Sequence, residues 1–201
     1  SYMFKKIYVV PRTAQTPAKI LTETTGKLGA LAWSPDGKSI LFLGGVDETD
    51  PAAGSIFVVS SAGGSAKNLT DNFEGTVLWA EWIDNATLAF SAVERSHTTL
   101  NTLPSAGGAV KRSIGSGYNF TAASISADGK KYVMTAGAFD HPNELFAGEF
   151  TKKELTRLTH SNPGLENIRF AGSKEIYWKA KDGLEISGLL MLDRKSTRLN
   201  S

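Results

Sequence analysis

The sequence predicts an all-β chain folded as part of a β-propeller, and three observations carry that prediction. Short β-branched and aromatic runs recur between turn residues, helix signals are scarce, and the same turn words return every 43 to 49 residues. The runs include Ile7-Tyr8-Val9-Val10, Ile40-Leu41-Phe42-Leu43, Ile56-Phe57-Val58-Val59, Thr87-Leu88-Ala89-Phe90 and Tyr132-Val133-Met134. Each is bounded by Gly, Asp, Asn or Pro. The 20 glycines among 201 residues supply the positive φ angles that tight turns need.

The repeat sets the element order. Ile56-Phe57-Val58-Val59-Ser60-Ser61-Ala62-Gly63-Gly64 aligns with Leu100-Asn101-Thr102-Leu103-Pro104-Ser105-Ala106-Gly107-Gly108 at a shift of 44. Ile7 and Leu145 open equivalent runs. A Leu-Thr pair closes three of the units, at Leu21-Thr22, Leu69-Thr70 and Leu158-Thr159. Upstream, Trp33-Ser34-Pro35-Asp36-Gly37-Lys38 matches Ile125-Ser126-Ala127-Asp128-Gly129-Lys130, with Trp82-Ile83-Asp84-Asn85 as a shorter version. Pro35 presets φ for a turn, Asp36 bonds backbone amides, and Gly37 takes a left-handed position before the chain returns. Gly129 is expected to do the same, whereas Gly64 has Gly63 beside it to share its turn and should tolerate replacement better.

Four strands per unit at this period are the mark of propeller blades. Residues 5–22 read as the outer two strands of one blade, 28–71 as a full blade, 75–114 as a second and 120–160 as a third. About three and a half blades form an open arc, leaving apolar faces and the strand edge of residues 5–22 uncovered. The isolated chain is therefore expected to self-associate. Generic sandwich hairpins are the alternative, but they do not repeat turn words at a fixed period. Trp33 and Trp82 occupy matching positions, with Ile125 in the third unit, and read as packing residues between blade faces. An aromatic ligand platform is the other reading of the tryptophans, and Trp79 could face either way.

Composition narrows the classes of function. At 41 % apolar and 21 % charged, the chain can bury a core. With no cysteine, a disulfide scaffold, a Cys-ligated zinc and a thiol nucleophile are excluded. No apolar run approaches the roughly 18 residues of a membrane helix, and the N-terminal residues do not lead into a signal-peptide core. The net charge of +2 rests on Arg194–Ser201, which hold three basic residues and no acid; without them 19 basic residues face 20 acidic ones. That leaves no clustered Lys/Arg for phosphate, so nucleic acid is not an expected partner. Compartment is left open.

After residue 160 the pattern changes. Asp182-Gly183 lies between two alternating runs and signals a two-residue hairpin. Trp178-Lys179-Ala180-Lys181-Asp182-Gly183-Leu184-Glu185-Ile186-Ser187-Gly188-Leu189-Leu190 resembles the entry strands of the α/β-hydrolase domain in the prolyl oligopeptidase family of serine peptidases. Leu31-Ala32-Trp33-Ser34-Pro35-Asp36-Gly37-Lys38, His141-Pro142-Asn143-Glu144-Leu145 and Leu155-Thr156-Arg157-Leu158-Thr159 precede it in the family's order. The likeness runs from Lys5 to Leu192 and is nearest the acylaminoacyl-peptidase and dipeptidyl-peptidase-like branch. TolB-like propellers share the blade words, so the terminal hairpin is what favours the peptidase.

The resemblance implies a partial propeller over residues 1–170 with TolB/WD-like blades, and a hydrolase entry hairpin over 171–192. That hairpin is expected to hang from the last blade. The basic segment 193–201 departs from the family and reads as a non-native tail, excluded from fold reasoning. The resemblance also implies a propeller that gates and positions oligopeptides for a catalytic domain outside this chain. The alternative is a non-enzymatic, TolB-like scaffold that binds proteins.

Chemistry within the chain itself is sparse. A hydrolase serine needs a Gly-x-Ser-x-Gly elbow, and none is present: the segments around Ser65 and Ser116 both fail the pattern. No catalytic, cofactor-binding or metal-binding residue is assigned, and no cofactor is expected. His97, His141 and His160 have no ligand-like spacing. Some relatives greet a peptide's free amino terminus with acidic propeller side chains, and Glu144 is a possible analogue against a loop-structuring role. Asp47-Glu48-Thr49-Asp50 is either a cation loop or a solvated acidic turn.

Overall fold

A computed structural model describes residues 4–13, 16–49, 52–115, 117–168 and 170–192. The segment 193–201, Ser116, Asp50 and the first three residues lie outside them. The described residues form three four-stranded antiparallel sheets and two two-stranded ones. The strands are β1 (Lys6–Val9), β2 (Lys19–Glu23), β3 (Leu28–Trp33), β4 (Ser39–Gly45), β5 (Gly54–Ser60), β6 (Lys67–Asn68), β7 (Thr76–Trp82) and β8 (Thr87–Glu94). They continue with β9 (His97–Pro104), β10 (Lys111–Ile114), β11 (Ser124–Ile125), β12 (Lys131–Ala138), β13 (His141–Glu149) and β14 (Leu155–Arg157). A 3-10 turn, Pro163–Asn167, leads into β15 (Ser173–Lys179) and β16 (Glu185–Met191).

Sheets β3–β6, β7–β10 and β11–β14 are simple meanders, each strand paired with its sequence neighbour. They are three blades of a propeller arc, and β1–β2 is the outer half of another. Blade boundaries fall where the repeat puts them. No helix among the described residues is long and apolar enough to cross a membrane.

Alternation explains the packing. In β4, Ile40 and Phe42 join Ile7 and Leu21 of the half-blade, while Leu41 and Leu43 join Leu88 and Phe90 of the second blade. Successive side chains thus serve opposite faces of the sheet. The second blade meets the third through Leu100, Ile114, Phe120, Tyr132 and Phe146. Trp82 is buried against the first blade and donates its indole N–H to the Ala32 carbonyl at 3.2 Å. Trp79 turns the other way, toward the third blade.

Trp33 departs from the expectation: it is 53 % exposed although it matches Trp82 in sequence. The half-blade reaches Ile40, Phe42 and Val59, and no strand among the described residues lies in front of Trp33 and Leu31.

The turn words build identical local structures. The Gly37 N–H bonds the Ser34 carbonyl at 2.9 Å, and Asp36 Oδ1 accepts from Ser34 Oγ at 2.7 Å and the Lys38 N–H at 3.1 Å. Ser126, Asp128, Gly129 and Lys130 repeat these bonds at 2.8, 2.6 and 3.1 Å. The Leu-Thr pairs clamp the outer strands of the first and third complete blades: Thr70 Oγ1 accepts the Ile56 N–H at 3.0 Å, and Thr159 Oγ1 the Leu145 N–H at 2.9 Å. A second repeated lock joins blades. Lys19 Nζ donates to the Ala62 carbonyl at 2.9 Å, and Lys67 Nζ to the Ala106 carbonyl at 2.6 Å.

Gly37 and Gly129 sit at φ +68° and +71° as expected. Gly64 is a correction: at φ +129°, beside Gly63 at +96°, it does not share a turn with its neighbour but needs a glycine conformation of its own. Valine at Gly37, Gly64 or Gly129 is expected to cost about 1–3 kcal/mol in chemical denaturation. Gly129→Val should cost the most, because its new Cβ would meet Ile83 Cγ2 at 2.8 Å while Gly37 faces open space.

We propose that the uncovered Leu31 and Trp33 face drives association of the isolated chain. Light scattering should show aggregates that a Leu31→Lys/Trp33→Lys double variant reduces. A monodisperse unsubstituted chain would overturn this.

Candidate functional site

Because neighbouring strands are antiparallel, the turns of each blade emerge alternately on two faces of the arc. The first-to-second and third-to-fourth strand turns share one face and carry the repeated words. The second-to-third turns and the connectors between blades share the other face, and there the sequence varies from blade to blade.

The β15–β16 hairpin docks on this variable face. It does not hang from the last blade, as chain order suggests, but reaches the β8–β9 turn of the second complete blade. Ser96 Oγ donates to Glu175 Oε1, and His97 Nδ1 lies 3.8 Å from the same oxygen. Arg95 pairs with Glu185 at 2.9 Å and stands 5.2 Å over the Tyr177 ring. Arg95 adopts φ +57°, the one positive-φ non-glycine among the described residues, which points it at the hairpin. The Ser96 hydroxyl, then the Tyr177 hydroxyl, hold the Glu175 carboxyl below its ordinary range, with His97 and Arg95 adding to the effect. These partners lie far apart along the chain, so no local motif announces them.

The hairpin's own turn differs slightly from expectation. The Gly183 N–H bonds the Ala180 carbonyl at 3.0 Å and the Ala180 N–H bonds the Leu184 carbonyl at 2.8 Å. Lys181, Asp182 and Gly183 therefore form a three-residue loop, with Gly183 at φ +90° closing it as a bulge, in place of the two-residue turn that Asp-Gly suggests. Ile186 and Leu189 fall on opposite faces of the hairpin. Trp178 covers Gly188 on the Ile186 face.

Glu144 is buried, at 2 % exposure, and its carboxylate is fully engaged within its own blade. It accepts from Thr159 Oγ1, the Ser161 N–H at 2.8 Å, Ser161 Oγ at 3.1 Å and Arg157 Nη2 at 3.1 Å. The Thr159 hydroxyl first, with the Ser161 and Arg157 donors, holds its pKa down to about 2. Glu144 fastens the Leu158-Thr159 clamp and has nothing left to offer a peptide amino terminus.

The other candidates do not converge. Among the described residues no three His, Asp or Glu side chains come together as a metal site would require. His141 bonds the Pro142 carbonyl at 2.8 Å and packs against Tyr118 and Phe146, far in sequence from His97 and its Glu175. Ser65 lies exposed in the β5–β6 turn, and Ser116 lies outside the described residues. Asp47 caps its own loop, accepting from the Thr49 N–H at 2.8 Å.

No family model matches the sequence, and no curated protein does. Solved structures do share the fold. The acylaminoacyl peptidase of Pyrococcus horikoshii matches 94 % of this chain and 28 % of its own at 18 % identity, with a TM-score of 0.71. A prolyl endopeptidase matches 96 % of this chain and 28 % of its own at 14 % identity, TM-score 0.63. TolB from Acinetobacter baumannii matches 71 % and 35 % at 22 % identity, TM-score 0.56. This chain thus spans less than a third of the peptidases it resembles.

The Glu144 network makes a pH-dependent prediction. A carboxyl whose folded pKa is lowered stabilises the fold fully above its ordinary value of 4.5, and the contribution fades as pH falls through about 2. Glu144→Gln should therefore lower the urea midpoint at pH 7, and the gap to the unsubstituted chain should narrow steadily below pH 4.5. A gap independent of pH would show that the charge of Glu144 contributes nothing.

Proposed function

We propose that this chain is the propeller portion of a serine peptidase of the prolyl oligopeptidase family, with acylaminoacyl or dipeptidyl specificity. In this reading it gates and positions oligopeptides for an α/β-hydrolase domain that continues from the β15–β16 hairpin. One observation carries the reading: the hairpin, whose sequence resembles the hydrolase entry strands, is fastened through Glu175 and Glu185 to the variable face of the arc. A domain continuing from β16 would then lie over that face, and a peptide would meet the blades before it met the nucleophile. Such a lid selects by size, admitting short chains and rejecting folded ones.

The likeness to TolB favours a second reading, a scaffold that binds protein partners on the same face. The polypeptide encoded beyond Leu192 separates the two. A fluorophosphonate probe should leave the 201-residue chain unlabelled, because it contains no Gly-x-Ser-x-Gly elbow. The polypeptide read through the same frame beyond Leu192 should label at a single serine and cleave blocked aminoacyl substrates. If that longer polypeptide neither labels nor carries an elbow, the scaffold reading stands and the peptidase reading falls.

A further inference from the structure

We infer that the β15–β16 hairpin is a detachable strap on the variable face, held to the β8–β9 turn by charged and hydroxyl groups and released when those charges are screened or reversed. Its seat is built without the hairpin, and the hairpin brings no apolar core contact to that seat.

The seat is fixed from inside the second blade. Glu94, on one side of Arg95, accepts from Thr99 Oγ1 at 2.5 Å and from Arg112 Nη2, and Thr99 Oγ1 accepts from Asn101 Nδ2 at 2.7 Å. Thr99 and Asn101 are fully buried, so this run of bonds lies within the blade and uses nothing from the hairpin. On the other side of the turn, His97 pairs with Glu94 as the first rung of the β8–β9 ladder. A non-glycine residue at a φ of +57° persists only where its surroundings over-determine it. For Arg95 those surroundings belong to the blade, which presents the guanidinium to the hairpin in advance.

The attachment itself is polar. Ser96 and His97 meet Glu175, and Arg95 meets Glu185 and the Tyr177 ring. β15 and β16 pair only with each other, and among the described residues no backbone hydrogen bond runs from either strand to a blade. Neither strand contributes a side chain to the three apolar clusters. Trp178, Leu189 and Met191 stand 46, 42 and 59 % exposed instead. The apolar burial that holds one blade to the next is therefore missing between hairpin and blade. Arg95 and Glu185 are each about half exposed, and an ion pair of that kind is weak and fades with salt.

The connector leaves room for release. Gly172, just before β15, and Gly164 in the 3-10 turn have no atom within 4 Å of where a Cβ would stand. A few loop residues of this sort suffice to swing a packed element. Undocking does not leave the Glu175 carboxylate bare, because the Tyr177 hydroxyl of its own strand stays with it.

The strap is a property of this chain and does not need the peptidase reading; under that reading, the same release would lift the domain continuing from β16 off the arc. The chain has no cysteine, so Lys153→Cys and Lys181→Cys, both at exposed positions, give a unique pair of spin-label sites. Dipolar spectroscopy of the labelled 201-residue chain, diluted with unlabelled chain so that only intramolecular distances register, reads where the hairpin sits. One narrow distance is expected at low salt, and the docked-to-open ratio should fall about two- to fivefold as the salt rises to about 1 M. Arg95→Glu and Glu185→Arg should each open the hairpin at low salt, and the two together should recover much of the narrow distance, with denaturation midpoints unchanged. A distance that neither salt nor reversal moves overturns the proposal. So does a broad distribution in the unsubstituted chain at low salt, or a double reversal no better than the single ones. Should Arg95→Glu fail to fold, Glu185→Arg decides alone, because it lies outside the blades. A salt-released hairpin with no fluorophosphonate labelling of the longer polypeptide would keep the strap and remove the peptidase.

Discussion

The first and second complete blades are apolar on both faces, so neither can satisfy itself alone, whereas β12 of the third alternates buried Tyr132, Met134 and Ala136 with exposed Lys131, Val133 and Thr135. In β8, Leu88, Ala89, Phe90, Ser91 and Ala92 are all fully buried in succession, which a sheet with one wet face would not allow. Leu88, Phe90 and Ala92 pack toward the first blade, while Leu100 of β9 serves the third. At about 25 cal/mol per Å² of apolar surface removed from water, these two-sided cores are the main stabilising term. The architecture follows from that demand. Blades must stack, stacking must be wedge-like around an axis, and an unstacked face shows up as exposed apolar surface at Leu31 and Trp33.

Directional contacts then fix how the blades meet. The lysine of one outer strand reaches the Ser-Ala-Gly-Gly turn of the next blade twice, from Lys19 to Ala62 and from Lys67 to Ala106. Trp82 reaches Ala32 from the inner strand. Asp36 takes the Asn85 side chain of the following blade through its backbone N–H at 3.0 Å. Individually such bonds contribute little beyond what water would supply. Together they set the register of one blade on another, and the register decides which connectors and turns share a face.

Much of this is legible in the sequence because it is local. Ser34-Pro35-Asp36-Gly37 and Ser126-Ala127-Asp128-Gly129 dictate their turns through bonds two to five residues long, and their recurrence marks the blades. Trp33 misleads because burial belongs to the neighbour as much as to the residue; Trp82 and Trp33 are equivalent in sequence and differ only in what stands opposite. Gly64 misleads because two adjacent glycines look redundant until both prove to need positive φ. Glu144 and Glu175 are both carboxylates near hydroxyl residues. One is clamped by residues 13 to 17 positions onward, within reach of pattern reasoning, and the other by Ser96 from 79 positions away, which no pattern contains.

The two faces of the arc divide along the same line. On one, each turn word recurs in two of the three complete blades, Ser-x-Asp-Gly-Lys in the first and third and Ser-Ala-Gly-Gly in the first and second, and a repeated word reports a shared structural need. On the other, an acidic loop, an Arg-Ser-His turn and an Asp-His-Pro-Asn turn occupy equivalent places with nothing in common. Repeat proteins confine their insertions and substitutions to positions free of the stacking requirement, and such positions cluster where ligands are met. Here that face receives the hairpin through Arg95 and Ser96. A fold that satisfies its buried carboxylate at Glu144 with four donors inside one blade, yet fastens its hairpin to another blade's turn through Ser96 and Arg95, has separated the contacts that hold a blade together from those that bring a distant segment to the variable face.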